Sequence, residues 1–262
     1  MASTWQGMVW GMLQSRGRTM NNGSKRKPTD IIRLSNEKPV LVVDDERFSR
    51  SIIMNHLREI GFQGTEAVAD VTTALQALIT APNGFCAAIC DFSMPLLTGL
   101  HFAWAVRTGF QGIPNHLPVM MLTGYSDSAL VGGALRLDVD AFVVKPVSRA
   151  TLEGRLRHAL AGGQPVGLPA SYAGIDIDAL VKAVQTPPRK REGLPAASAP
   201  SPPPGRAMPV TDLAEGAVLA EDLCAPSGEL ILASGFRLSG RMINRIRELS
   251  ILGVVPHVIH VV

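Results

Sequence analysis

The sequence predicts an α/β protein: a (βα)5 unit with a five-stranded parallel sheet, followed by a small α+β unit. Two observations predict this. From Pro39 onward short apolar runs alternate with segments of helical periodicity, the signature of strands joined by crossover helices. The runs VLVV and AFVV are apolar without interruption, as strands covered on both faces must be. With 262 residues, 46% of them hydrophobic, the chain has enough apolar surface for a real core and enough length for a second unit.

Taken in order, the strands are expected at Val40 to Asp44, Thr65 to Val68, Ala87 to Asp91, Val119 to Thr123 and Ala141 to Val144. Helices fall between them at Arg47 to Ile60, Val71 to Thr80, Gly99 to Thr108 and Ser126 to Leu137. A closing helix, Arg149 to Ala161, takes Ser148 as its N-cap and stops at Gly162-Gly163. This defines a unit at 38–162. Residues 1–37 are polar, basic and aperiodic and read as a disordered extension, with Met20 available as a second start. Residues 163–208 read as a Pro-rich flexible linker, with a short helix at Asp176 to Gln185 as its one candidate element. Residues 209–262 form a small C-terminal interaction module. Its elements are a run Ala217 to Ala220, a hairpin from Leu223 to Ser234 turning at Ser227-Gly228, an amphipathic helix from Arg241 to Leu249 and a last strand from Pro256 to Val262.

Composition excludes several classes. The net charge of +3 is accounted for by Met1 to Lys38, where Arg16, Arg18, Lys25, Arg26, Lys27, Arg33 and Lys38 are set against only Asp30 and Glu37. It therefore says little about the folded part. No apolar run approaches the roughly 18 residues of a membrane helix, so a cytoplasmic protein without membrane insertion is expected. Cys86, Cys90 and Cys224 lack CxxC spacing and indicate neither a disulfide framework nor zinc. The histidines are scattered, with no ligand spacing among them.

The chemistry lies at the strand ends. Asp44 and Asp45 close the first strand, Asp91 the third, Thr123 the fourth, and Lys145 follows the fifth. In a parallel sheet all of them project at the carboxyl edge, where open α/β sheets bind ligands. Three converging carboxylates repel one another unless a cation sits among them, and hard oxygen donors suit Mg²⁺, which also accepts phosphate oxygens. Lys145 can pair with a carboxylate or a phosphoryl oxygen, and Thr123 can donate to another oxygen of that group. A carboxylate is itself a nucleophile able to form an aspartyl phosphate.

Four motifs, VVDD at Val42 to Asp45, DFSMPLLTG from Asp91, MLTG at Met121 to Gly124 and AFVVKP ending in Lys145-Pro146, together resemble the receiver domains of two-component response regulators. The resemblance spans Lys38 to Gly162 and implies a CheY-like, flavodoxin-like fold of strand order 2-1-3-4-5. It further implies that Asp91 is the phospho-acceptor, Asp45 a direct Mg²⁺ ligand, Asp44 its acidic partner acting through water, and the Ser93 carbonyl a backbone ligand. Thr123 becomes the switch hydroxyl, Phe142 the switch aromatic and Lys145 the phosphate-binding lysine, with a cis Lys145-Pro146 bond. The phosphodonor would be a sensor histidine kinase or a phosphotransfer protein. Such a domain is no classical enzyme, since it catalyses only its own phosphorylation and dephosphorylation. Ser93 and Tyr125 occupy the positions that tune dephosphorylation, and with neither a carboxylate nor an amide there a long-lived phosphoryl group is expected.

The output is less legible. Residues 209–262 lack the helices of a DNA-binding output and carry no GGDEF run, HD pair or kinase core. They are expected to bind a protein partner, with a homodimer as a further arrangement. Two alternatives compete: a nucleic-acid-binding regulator using Lys25-Arg26-Lys27 and Arg189-Lys190-Arg191, and a phosphate sink without output.

Overall fold

The computed structural model describes residues 38–62, 64–124, 128–161, 166–185, 205–226, 228 and 230–262. The expectations for 1–37, for Tyr125 and for the stretch 186–204 lie outside the described residues.

The central sheet is parallel, in the order β2-β1-β3-β4-β5. Its strands are β1 (Val40–Val43), β2 (Glu66–Val68), β3 (Ala87–Asp91), β4 (Val119–Thr123) and β5 (Ala141–Val144). The crossovers are α1 (Arg47–Ile60), α2 (Val71–Thr80), α3 (Gly99–Arg107) and α4 (Ser128–Arg136), and α5 (Arg149–Leu160) closes the unit. Successive side chains of a strand point to opposite faces, and the core is divided accordingly. Val40 and Val42 join Ile53, Leu57, Leu152 and Leu156 under α1 and α5. Leu41 and Val43 join Ala74, Leu78, Leu100 and Phe102 on the α2–α4 side. Registers Val43↔Cys90, Asp91↔Leu122 and Thr123↔Val144 bring the strand ends level.

Local chemistry sets the boundaries. Asp70 caps α2 by accepting from the Thr73 amide at 2.8 Å, and Ser148 caps α5 through the Thr151 amide at 3.2 Å, as expected of Ser148. α1 ends on Gly61, whose φ of 110° is open only to a residue without a Cβ.

The segment 163–208 does not read as linker throughout. Within it α6 (Pro169–Ala173) and α7 (Ile177–Gln185) are helices laid over α3 and α4. The physical reason is tertiary: the Trp104 indole donates to the Tyr172 carbonyl at 3.1 Å, and Tyr172, Ile175, Ile177 and Val181 are buried. The Tyr172 hydroxyl donates to Asp138 at 2.6 Å, and burial first, then this bond to a carboxylate, pushes the phenol pKa up.

Nor does the C-terminal module stand apart. It comprises β6 (Arg206–Pro209), β7 (Leu223–Cys224), β8 (Leu230–Leu232), α8 (Gly240–Ile251) and β9 (Val258–Val261). β6 pairs antiparallel with β9 and β7 with β8, the latter being the expected hairpin. The run Ala217 to Ala220 is no strand but makes isolated bridges, Val218 to Arg237 and Leu219 to Val261. β8 and α8 pack on α4 and β5, and one apolar core runs from the sheet into the module. α8 buries Met242, Ile243, Ile246 and Leu249 as its periodicity predicts, and buries Arg241 and Arg245 as well.

Candidate functional site

The site is built where β1, β3, β4 and β5 end. Asp44 is fully buried and Asp91 is 6% exposed, whereas Asp45 is open to solvent. One carboxylate oxygen from each of the three lies within 4.8 Å of the others. The Lys145 ammonium stands between two of them, 2.8 Å from Asp91 Oδ1 and 3.1 Å from Asp44 Oδ2. Its backbone amide donates to the Thr123 carbonyl at 2.8 Å, so β4 positions the residue that bridges β1 and β3. The Lys145-Pro146 peptide is cis, as expected.

Neighbours pin Asp44 that sequence reasoning did not single out. Ser49 Oγ donates to Asp44 Oδ2 at 2.6 Å, the Glu46 amide donates to Asp44 Oδ1 at 2.8 Å, and Arg50 Nη1 donates to the Asp44 carbonyl at 2.5 Å. All three come from the turn into α1 and its first turns. Their only sequence signal was a polar residue at those positions, which is too common to be diagnostic. With Asp44 committed to these donors, Asp45 and Asp91 are the carboxylates left more open.

Electrostatics follow from burial. The Asp91 pKa is pushed up to about 6, chiefly by desolvation, with the Asp44 charge adding to it and Lys145 opposing it. Burial disfavours the Lys145 ammonium, but Asp91 and Asp44 outweigh it and hold the lysine pKa above its ordinary value. A cation among these carboxylates would relieve the repulsion, and three hard oxygen donors fit a divalent metal.

The remaining residues are placed as follows. Thr123, 3% exposed, donates from Oγ1 to the Gly124 carbonyl at 3.0 Å. Phe142 is fully buried, its ring 6.5 Å from that of Phe92, on the layer shared with α2–α4. Ser93 is exposed on the loop after β3. Gly99 opens α3 so close to β3 that a Cβ there would lie 2.4 Å from the Asp91 carbonyl oxygen. Gly99→Ala is therefore expected to force α3 and the end of β3 apart and to destabilise the fold by about 1–3 kcal/mol. Urea unfolding of the two chains checks this.

The chain is similar to known proteins over its first unit. Residues 40–157 match the model of the response regulator receiver domain. The chain is 35% identical over 117 residues to chemotaxis protein CheY of Pseudomonas aeruginosa, covering 45% of this chain and 91% of the relative. It is 32% identical over 123 residues to CheY-3 of Vibrio cholerae, covering 47% and 92%. Among solved structures, chemotaxis response regulator CheY4 of Vibrio cholerae aligns with a TM-score of 0.42 and 30% identity over 47% of this chain and 98% of that one. Among the described residues no helix is long and apolar enough to cross a membrane. With a relative at this identity matched over nearly its whole length, the chain belongs to the response regulator receiver family, a CheY-like member of two-component signalling.

Proposed function

We propose that Asp91 is the phosphoryl acceptor and that its modification is the input of the switch. The observation that carries this reading is the Lys145 ammonium held 2.8 Å from Asp91 and 3.1 Å from Asp44 at the ends of adjacent strands. An Asp91 carboxylate oxygen attacks the phosphorus of a phosphohistidine on a kinase or phosphotransfer protein. The O–P bond forms as the N–P bond breaks, and the departing imidazole leaves neutral after taking up a proton.

Asp45 and Asp91, with the Ser93 carbonyl, would hold Mg²⁺ directly, and Asp44 would act through water. When bound, the ion supplies positive charge to the transferring oxygens. This chain's own residues do the rest. Lys145 balances charge on the acceptor side, Ser49 and the Glu46 amide keep Asp44 oriented, and Thr123 is one strand over, ready to turn its hydroxyl from the Gly124 carbonyl to a phosphoryl oxygen. Phe142 carries no hydroxyl to re-bond, so the switch it makes is a steric one. Phe48 and Leu96, 71% and 100% exposed, stand on the two segments bordering the site and supply apolar contact for the donor.

The family match falls on the receiver, and nucleic-acid regulation is not favoured over phosphoryl acceptance. Incubation with labelled acetyl phosphate and Mg²⁺ tests the reading. The wild-type chain is expected to take up label and the Asp91→Asn chain none; label retained by the Asn variant would assign the acceptor elsewhere.

A further inference from the structure

A crevice lies beside α3, and its third wall is an addition of this chain. Val71 and Leu75 of α2 form one side, Leu97 and Trp104 before and within α3 the second, and Ile177 of α7 the third, around a space of about 430 Å³ counted out to its open mouth. The receiver match ends at residue 157, so the helix that closes the crevice lies beyond it. Interiors are packed like organic crystals, with few voids larger than a water molecule, and a recess of this size between three helices is not ordinary packing. Ligand sites have this volume and are mostly apolar, with a few placed polar groups. The Trp104 indole N–H is spent on the Tyr172 carbonyl at 3.1 Å, so its ring serves as apolar lining. That leaves His101 of α3 and Asp178 of α7, with Nε2 3.3 Å from Asp178 Oδ1 and Asp178 half exposed on the open side. The Thr98 amide donates to His101 Nδ1 at 3.1 Å, which fixes Nδ1 as the acceptor and leaves the proton on Nε2. Asp178 therefore receives one neutral donor, and no other among the described residues. Lys182, one turn further along α7, is exposed and outside the lining. The crevice thus offers one full charge, and it is negative.

We propose that this crevice is a binding site for a small apolar amine, its single ring or branched alkyl body held between α2, α3 and α7 and its ammonium on Asp178. Charge complementarity chooses the class. An ammonium carries donors only and makes a charge-assisted bond to the carboxylate while His101 keeps its own. A carboxylic acid would set a second negative charge beside Asp178, and an alcohol would gain only a neutral hydrogen bond. Leu97 ties the site to the rest of the molecule. It stands two residues before Gly99, whose amide donates at 3.1 Å to the carbonyl of Phe92, the residue after Asp91. An occupant therefore rests on the loop that leaves the carboxylate cluster. The assignment stands on the crevice alone and does not depend on which carboxylate accepts a phosphoryl group.

The test titrates 2-phenylethylamine into the full chain at pH 7.5, with excess Mg²⁺ to compete for the carboxylates at the strand ends, and reads amide and indole N–H shifts by NMR. Expected are saturating shifts at Leu97, His101, Ile177 and the Trp104 indole, with a dissociation constant of about 1 mM or tighter. 2-Phenylethanol and 3-phenylpropionate keep the ring and replace the ammonium, and each is expected to bind at least about tenfold more weakly. Asp178→Asn, a change at a half-exposed position, is expected to weaken amine binding about tenfold and to leave 2-phenylethanol binding as it was. Crevice resonances that stay in place at about 20 mM amine overturn the site. An alcohol that binds as well as the amine, or an Asn variant that binds the amine as the wild type does, refutes the role of the charge. Shifts confined to the neighbours of Asp44, Asp45 and Asp91 would place the amine in the acidic cluster and overturn the proposal as well.

Discussion

Replacing Arg107 with methionine is expected to destabilise the fold by about 4 kcal/mol or more and to lower Tm by roughly 10 °C. Arg107 lies on the last turn of α3 and is fully buried. Its guanidinium donates to the carbonyls of Asn115 at 2.7 Å, Leu117 at 2.8 Å, Asp138 at 3.0 Å and Leu137 at 3.2 Å, and to Asp140 at 2.6 Å. These acceptors belong to the two loops that enter β4 and β5, so a single side chain ties the amino-terminal edge of the sheet to α3. Methionine fills much of the space but donates nothing. Each orphaned buried carbonyl costs about 1–3 kcal/mol, and breaking a buried ion pair from one side about 3–5 kcal/mol. Part of the loss is spared because Asp140 keeps Arg241 and the Val119 amide at 2.8 Å. Arg157→Met is the contrast: its pair with Glu153 is half exposed on α5, and a change of about 0.5 kcal/mol or less is expected. Thermal melts of the three chains check the order. An Arg107→Met chain as stable as the Arg157→Met chain would mean the buried network contributes little.

What could be read from sequence divides along the range of the interactions. The strand ends were legible because each is local: a run of apolar residues closes on Asp44-Asp45, Asp91, Thr123 or Lys145, and parallel topology alone brings those ends together. Of the two helices at 169–185, the second was legible as the candidate at Asp176 to Gln185, whereas Pro169–Ala173 and the docking of both were hidden, because glycines and prolines punctuate a docked segment and a free one alike. What docks them is distant, Trp104 to the Tyr172 carbonyl and the Tyr172 hydroxyl to Asp138. The seat of the module was hidden for the same reason, since Arg241 and Asp140 are 101 residues apart. A signal was present nonetheless. Gly132-Gly133 inside a segment of helical periodicity weakens the helix for no local gain, and the gain is tertiary: a Cβ at Gly132 would lie 2.0 Å from the Ile231 carbonyl oxygen of β8, and one at Gly133 would lie 2.9 Å from the Leu100 side chain. The arginines of α8 were misleading in the opposite sense, because charge on an amphipathic helix reads as solvated, whereas Arg241 and Arg245 are 9% and 6% exposed. Burial works against the Arg245 charge and lowers its pKa, with Glu248 at 2.7 Å opposing that.

The Asp91→Asn chain is expected to be more stable than the wild type at pH 7.5 in the presence of a chelator, by about 2 kcal/mol, and the gap is expected to close on acidification to pH 4.5. Asp91 in the folded chain titrates at about 6, against an ordinary value of 3.8. Between those values the folded state holds a proton that the unfolded state has released. Folding stability from this group is therefore fully present below the ordinary carboxylate value and is lost as pH rises through 6, because the ionised carboxylate is desolvated and faces Asp44. Asparagine removes the charge and keeps the shape and one acceptor oxygen for Lys145, so it escapes the penalty at neutral pH and gains nothing over a protonated aspartic acid at low pH. A divalent cation acts in the other direction. It binds the wild-type carboxylates in the native state and stabilises by mass action, while the Asn variant, short of one charged ligand, gains less. Urea titrations of both chains at the two pH values, with chelator and with Mg²⁺, separate these effects. A wild-type chain that is the more stable at pH 7.5 without metal would show that the Lys145 ion pair outweighs the burial of Asp91, and that the site is held together without the cation its carboxylates imply.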